Sequence, residues 1–184
     1  MKQLTIPSYT EKKIKKGQFV LEKQDFPSLP FHDQAVELAN TKGQFIGIGY
    51  LSEQNKGIGW FISHKKVTLD VSFFCQLFQC AKEKRQVYQQ SEETTAYRLF
   101  NQEGDGFGGF TIDLYQDYAV FSWYNLFVYE MKETVVQAFQ HVFPEVAGAY
   151  EKIRFKGLDV ESAHLYGQEA SAFFTILELS LIHI

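Results

Sequence analysis

Hydrophobic and polar positions change their period near residue 69. Upstream, short apolar segments are separated by Gly, Asn and Pro. Residues 35–39 and 44–51 flank Asn40, Thr41, Lys42 and Gly43, a hairpin loop with a glycine free to take a left-handed conformation. Ile58, Trp60 and Ile62 alternate on a further strand behind the turn Asn55, Lys56, Gly57. Several short strands of this kind predict a β-barrel or sandwich. Downstream the spacing becomes helical: Asp70 is placed to cap a helix that carries Phe74, Leu77, Phe78 and Ala81 on one face, with Gln76, Gln79, Glu83 and Gln86 on the other. Strands follow at 97–101, 110–115 and 118–123, the last two joined by Gln116 and Asp117, so an antiparallel meander is expected. A second helix is predicted over 126–143, stopped by Pro144, and further strands at 149–155 and 172–178. The fold class is α+β.

The chain has 184 residues, a net charge of −4 and two cysteines. This length accommodates two small domains, and the boundaries read as 1–68 and 69–178. An acidic chain is not a wholly basic nucleic-acid coat, although one basic face still binds a phosphate backbone. No segment approaches the roughly 20 apolar residues of a membrane span, and the first residues lack an apolar signal core, so a cytoplasmic protein with no membrane partner is expected. Cys75 and Cys80, five apart on a helix, read as buried free thiols. The last six residues, LSLIHI, extend an apolar strand without a turn or cap and resemble a translated sequencing adapter, so 179–184 is expected to be a non-native tail.

Gly104, Gly106 and Gly109 have the GxGxxG spacing of a dinucleotide site. Their setting opposes that reading. A dinucleotide fingerprint opens a helix, whereas here both flanks are strands, and Glu103 and Asp105 put negative charge where a phosphate needs amides and cations. The run is a glycine-rich hairpin loop. Asp113 and Asp117 flank a turn and are expected to bond local amides. His32, His64, His141 and His164 show no metal-ligand or triad spacing and read as surface or capping residues, so no metal is expected.

The segment 94–115, TTAYRLFNQEGDGFGGFTIDLY, resembles the bacterial SAM-dependent large-subunit rRNA cytosine-C5 methyltransferases, with Arg98, Glu103, Gly104, Asp105, Gly106, Gly109 and Asp113 at the positions of their central motif. The resemblance implies a PUA-like β-barrel at 1–68, a central α/β domain with the antiparallel β-meander at 69–178, and a C-terminal Rossmann-like catalytic domain that is absent here. It gives the seven motif residues a structural role. Catalytic and S-adenosylmethionine-binding residues are then expected to lie outside this chain, which would itself be inactive and bind no cofactor. Gly17, Gln18, Phe19, Val20 and Leu21 depart from the Gly-His-Pro-Trp-like stretch common in such PUA domains.

Ribosomal RNA is the partner so implied, and the stretch 11–23 is the first candidate contact. Five lysines there (Lys12, Lys13, Lys15, Lys16, Lys23) less two glutamates (Glu11, Glu22) leave a local charge of +3, and lysines that displace phosphate counterions give salt-sensitive affinity. His64, Lys65 and Lys66 extend the track, and Tyr50, Trp60 and Phe107 are candidates for exposed base stacking. A stand-alone RNA-binding module is the alternative to part of an enzyme, and a protein-interaction domain a third reading.

Overall fold

The computed structural model describes residues 1–29, 32–55, 57–91, 93–158, 163–171 and 175–177. The first half supplies β1 (Lys2–Thr5), α1 (Ser8–Lys15), β2 (Val20–Glu22), β3 (Gln34–Ala39), β4 (Phe45–Gln54) and β5 (Gly57–Ser63). Its five strands lie in the order β1-β3-β4-β5-β2, with β1 parallel to β3 and the remaining pairs antiparallel. Leu4, Ile6, Ile14, Leu21, Leu38, Leu51 and Phe61 form one core on this sheet. On β4 and β5, Ile48, Tyr50, Trp60 and Ile62 instead join the larger core of the second half. Both faces of these two strands are therefore buried, and they read as near-continuous apolar runs.

The closed barrel expected for this half is not what forms. The sheet is open and mixed, with β1 and β2 as its two edges. Its aromatic face has no need to curl onto itself, because the second half covers it: Tyr50 stacks on Phe107 and Phe127, with ring centroids 5.5 Å and 4.5 Å apart.

The second half contains α2 (Val71–Lys84), α3 (Gln86–Gln89), β6 (Ala96–Asn101), β7 (Phe110–Tyr115), β8 (Tyr118–Trp123), α4 (Leu126–Glu130), α5 (Lys132–Val142), β9 (Gly148–Ile153) and β10 (Ala163–Gly167). Asp70 caps α2 by accepting the Phe73 amide at 2.9 Å, and Phe74, Phe78 and Ala81 at i, i+4 and i+7 are buried. Full burial of each phenylalanine contributes about 1.5–3 kcal/mol. They meet Phe100, Phe110, Phe121 and Phe139 in an aromatic core where edge-on contacts predominate.

Strands β6, β7 and β8 make the expected antiparallel meander, but the sheet as a whole is mixed: β9 returns through α4 and α5 to lie parallel to β8, in the order β10-β9-β8-β7-β6. The single helix expected over 126–143 is two, because Met131, at φ −90° and ψ 4°, leaves the helical region between them. Asn125 caps the first by accepting the Val128 amide. Of the strand expected at 172–178, residues 175–177 are described and are not in a strand, although Leu177 exchanges hydrogen bonds with Thr95. The expected tail, 179–184, lies outside the described residues. Cys75 is half-buried and Cys80 exposed, so the two are free but not the buried pair expected: they sit 5 residues apart, on different sides of α2.

Candidate nucleic-acid interface

Helix α1 lays Thr10 and Ile14 inward and its lysines outward. What the sequence counted as +3 is much thinner as a field, because the carboxylates of the same half reach back to the ammonium groups. Lys13 bonds Glu22 at 2.6 Å and the buried Asp25 at 3.3 Å, and these bonds, the Glu22 one first, hold its pKa above the usual lysine range against the opposing effect of desolvation. Lys15 pairs with Glu11 at 2.6 Å one turn back. Lys23 pairs with Glu53 at 2.5 Å and draws that carboxyl below its ordinary value. Lys66 pairs with Glu37 at 2.8 Å, and His64 packs against Phe61 with Nδ1 3.1 Å from the Ile46 carbonyl. Lys12, Lys16 and Lys65 are exposed and enter no ion pair among the described residues. Among the eight basic candidates, these three present unneutralised charge to solvent.

The glycine loop is a hairpin connection, as its flanking strands predict, and it docks on the first half. Trp60 donates its indole N–H to the Glu103 carboxylate. Tyr50 donates to the Gly108 carbonyl at 2.8 Å, and its oxygen accepts from Asn125 Nδ2 at 3.1 Å. Gln54 donates to Gln102 Oε1 at 3.1 Å, and the same oxygen accepts the Gly109 amide at 3.4 Å. Gly109 lies at φ +101°, and a Cβ there would come within 2.6 Å of both Asn125 Nδ2 and the Tyr50 hydroxyl. A Cβ on Gly108 would collide with the edge of the Trp60 ring, at its Cδ1 and Nε1 atoms. The space beside Gly108 and Gly109 is already filled by side chains of both halves, which leaves no cradle for a phosphate at these two glycines.

The other motif residues hold the hairpin. Arg98 forms a two-pronged pair with Asp113, its register partner, at 2.8 Å and 3.1 Å. Asp113 thus bonds a guanidinium across the strands where a local amide was expected. Asp105 is buried and receives the Arg85 fork at 3.0 Å and 2.6 Å, Lys84 at 3.2 Å and the Asn101 amide at 2.7 Å. Burial opposes its ionisation, but the Arg85, Asn101 and Lys84 bonds outweigh burial and hold its pKa below the usual carboxylate value. Gly106, at φ +94°, turns the chain after it.

Tyr50, Trp60 and Phe107 are buried, which removes the base-stacking role expected of them. Their aromatic character serves the contact between the halves. Arg85, Gln54 and Asn125, which complete these networks, carried no signal in the sequence, because each meets its partner across 20 or more residues with no period to announce it. The four candidate histidines are all exposed. Among the described residues no group of His, Cys, Asp and Glu is placed to hold a metal, and no helix is long and apolar enough to cross a membrane.

Residues 4–64 match the PUA-like domain family, which gives the first half its class. Most of the chain is similar in sequence to part of large-subunit ribosomal RNA methyltransferases. It is 36% identical over 160 residues to a Bacillus subtilis protein provisionally named ribosomal RNA large subunit methyltransferase YwbD, covering 84% of this chain and 40% of that one. It is 32% identical to ribosomal RNA large subunit methyltransferase I of Photobacterium profundum, covering 81% and 39%. A solved structure from Streptococcus mutans, provisionally described as a SAM-dependent methyltransferase, superimposes at a TM-score of 0.92 with 52% identity over 97% of this chain and 46% of its own. A second methyltransferase structure with the same figures is a complex with SAH. The chain spans about two fifths of the length of the curated relatives it matches.

The likeness to these structures overturns the expectation of an architecture defined by a missing catalytic domain. Nearly the whole chain superimposes on 46% of a protein provisionally described as a SAM-dependent methyltransferase, so the two halves read separately as docking pieces recur together in that structure. The inactivity and lack of cofactor binding inferred from that expectation lose their premise.

Proposed function

We propose that this chain serves the SAM-dependent methylation of large-subunit ribosomal RNA, at cytosine C5, and that its first half engages the RNA. The protein so read works in the cytoplasm, where ribosomes are made. The observation that supports this most is the 36% identity to an rRNA methyltransferase over 84% of the chain, which runs through both halves and the contact between them. The exposed ammonium groups of Lys12, Lys16 and Lys65 are the contacts this reading assigns to the phosphate backbone.

Under this reading the residues of the chain bind and orient. Lys12 and Lys16 flank Lys13, whose tie to Glu22 and Asp25 fixes α1 against β2 and the turn after it, so the two free cations are presented from a rigid surface. The glycine loop then holds the second half at a set position against the first.

The test is filter binding of this chain to a large-subunit rRNA transcript over a range of salt concentrations. Wild type should lose affinity steeply as salt rises, and the double variant Lys12→Gln/Lys16→Gln should reduce the slope of log K against log salt by about 1.4–1.8. Salt-independent binding, or an unchanged slope, overturns the assignment. Transfer of a radiolabelled methyl group from S-adenosylmethionine to the same transcript tests the reaction class.

A further inference from the structure

Between α3 and the edge strand β6 lies an open cleft of about 720 Å³ that the proposed RNA-facing lysines do not use, with Gly104 and Asp105 of the glycine loop in its lining. Lys84, Arg85 and Arg98 line it against one carboxylate in the lining, Asp105, and one just outside it, Asp113, which holds Arg98, so the balance is +1 in a chain whose net charge is −4. Arg85 and Lys84 share Asp105, two cations on one carboxylate, and Arg98 is forked to Asp113, while the side chains of Arg98 and Lys84 remain 46% and 56% exposed. Tyr88 and Tyr97 complete the lining and stack on each other, with ring centroids 5.6 Å apart and ring planes at 28°. Tyr97 is partly buried, with its phenol pushed up by desolvation, and Tyr88 is 43% exposed. A second cleft, of about 600 Å³, is lined by the same two tyrosines, and its lining among the described residues has Asp117 and Glu145 and no lysine or arginine, although Lys82 reaches Glu145 at 3.0 Å.

We infer that the Arg98 cleft takes a single-stranded segment of RNA, with an unstacked base on Tyr88 and the adjoining phosphates against Arg98 and Lys84. This rests on the ribosomal RNA reading above and adds to it a second contact, in the other half, of a different kind. An aromatic ring beside cations is how sequence-tolerant single-strand sites are made: the ring takes the base face and the cations follow the backbone. Duplex RNA keeps its bases stacked on one another and gains nothing from Tyr88. Charge sets which of the two clefts takes the backbone, since with the ion-pair partners Asp113 and Lys82 counted the balance is +1 at the Arg98 cleft and −1 at the other. Tyr97 braces Tyr88 from behind, so the platform loses little side-chain freedom on binding.

The experiment measures the affinity of the full chain for octauridylate containing one 4-thiouridine, by fluorescence anisotropy, beside its affinity for a duplex hairpin from large-subunit rRNA. Tyr88→Leu should weaken octauridylate binding roughly ten-fold, whereas Tyr88→Phe, which keeps the ring, should bind as wild type does. Lys84→Gln should lower the salt slope for octauridylate by about 0.7. Lys12→Gln/Lys16→Gln should weaken the hairpin and spare octauridylate. Irradiation should cross-link the thiouridine to Tyr88 or Tyr97, a readout that does not depend on any variant folding. If wild type binds both RNAs but Tyr88→Leu matches wild type, or the cross-links fall only on α1, the cleft assignment is overturned and the wider reading stands. If wild type binds neither RNA, both fall together.

Discussion

The Tyr50 hydroxyl donates a 2.8 Å hydrogen bond to the carbonyl oxygen of Gly108, 58 residues further along the chain, and in the same buried site accepts from Asn125. One oxygen therefore ties β4 of the first half to both the glycine loop and the cap of α4 in the second.

Tyr50→Phe removes that oxygen and fills no new space. It leaves the Gly108 carbonyl without this donor and the Asn125 amide without this acceptor. The expected cost is about 1–3 kcal/mol, read by urea denaturation. If the midpoint is unchanged, this hydrogen-bond network does not hold the halves together.

Gly109 and Gly17 provide a matched pair. Both have positive φ, +101° and +88°, but a Cβ on Gly17 meets nothing within 4 Å, while one on Gly109 collides with Asn125, Tyr50 and Val128. Gly17→Ala should therefore cost only its backbone strain, about 1 kcal/mol, and Gly109→Ala at least about 2 kcal/mol more. Equal losses in thermal unfolding would show that the loop is not wedged as described.

Asp105 makes stability depend on acid. Its pKa is lowered in the folded protein, so its contribution is fully present above the unfolded carboxylate value of about 3.9 and fades as pH falls through the folded one. Asp105→Asn should destabilise the protein at pH 7 and make unfolding below about pH 4 less steep. The check is a set of denaturation curves from pH 7 to pH 2, in which wild type and variant should converge at the acid end.

Lys132 acts in the opposite range. It bonds Tyr129 and the buried Glu151, which also receives the Trp123 indole N–H at 2.9 Å. Desolvation lowers the Lys132 pKa, but the two hydrogen bonds outweigh it and the folded value is raised. Its contribution is then complete below the unfolded lysine value of about 10.4 and is lost as pH climbs through the folded value. Glu151→Ala, which strands the lysine and the indole together, should cost about 3 kcal/mol at pH 7 and less as pH climbs past the unfolded lysine value. A loss that stays constant across that range would show that the lysine plays no part in it.

Much of the fold could be read from period alone. The alternation of Ile58, Trp60 and Ile62 marks β5, and Phe74, Phe78 and Ala81 at i, i+4 and i+7 mark α2. The glycine run is identified as a hairpin by the strands on either side of it. What escaped was everything decided across distance. An alternating strand shows which residues share a face but not what covers that face, so Tyr50 and Trp60 stood as candidates for exposed base stacking while the half that covers them went unread. The lysines were counted correctly, yet Lys13, Lys15, Lys23 and Lys66 are each neutralised by a carboxylate, two of them 29 or 30 residues away. The Arg98 cleft was out of reach for the same reason. Its cations come from the end of α2 and from β6, and its tyrosine from a four-residue helix with no amphipathic stripe.

Because Gly108 and Gly109 leave no slack against Trp60, Tyr50 and Asn125, the chain behaves as a caliper with its jaws locked. On the RNA reading proposed above, a transcript long enough to touch α1 and the Arg98 cleft at once must present its duplex and its unpaired bases at one fixed separation. Inserting or deleting nucleotides between them would forfeit the gain from double engagement even with every contacting atom intact.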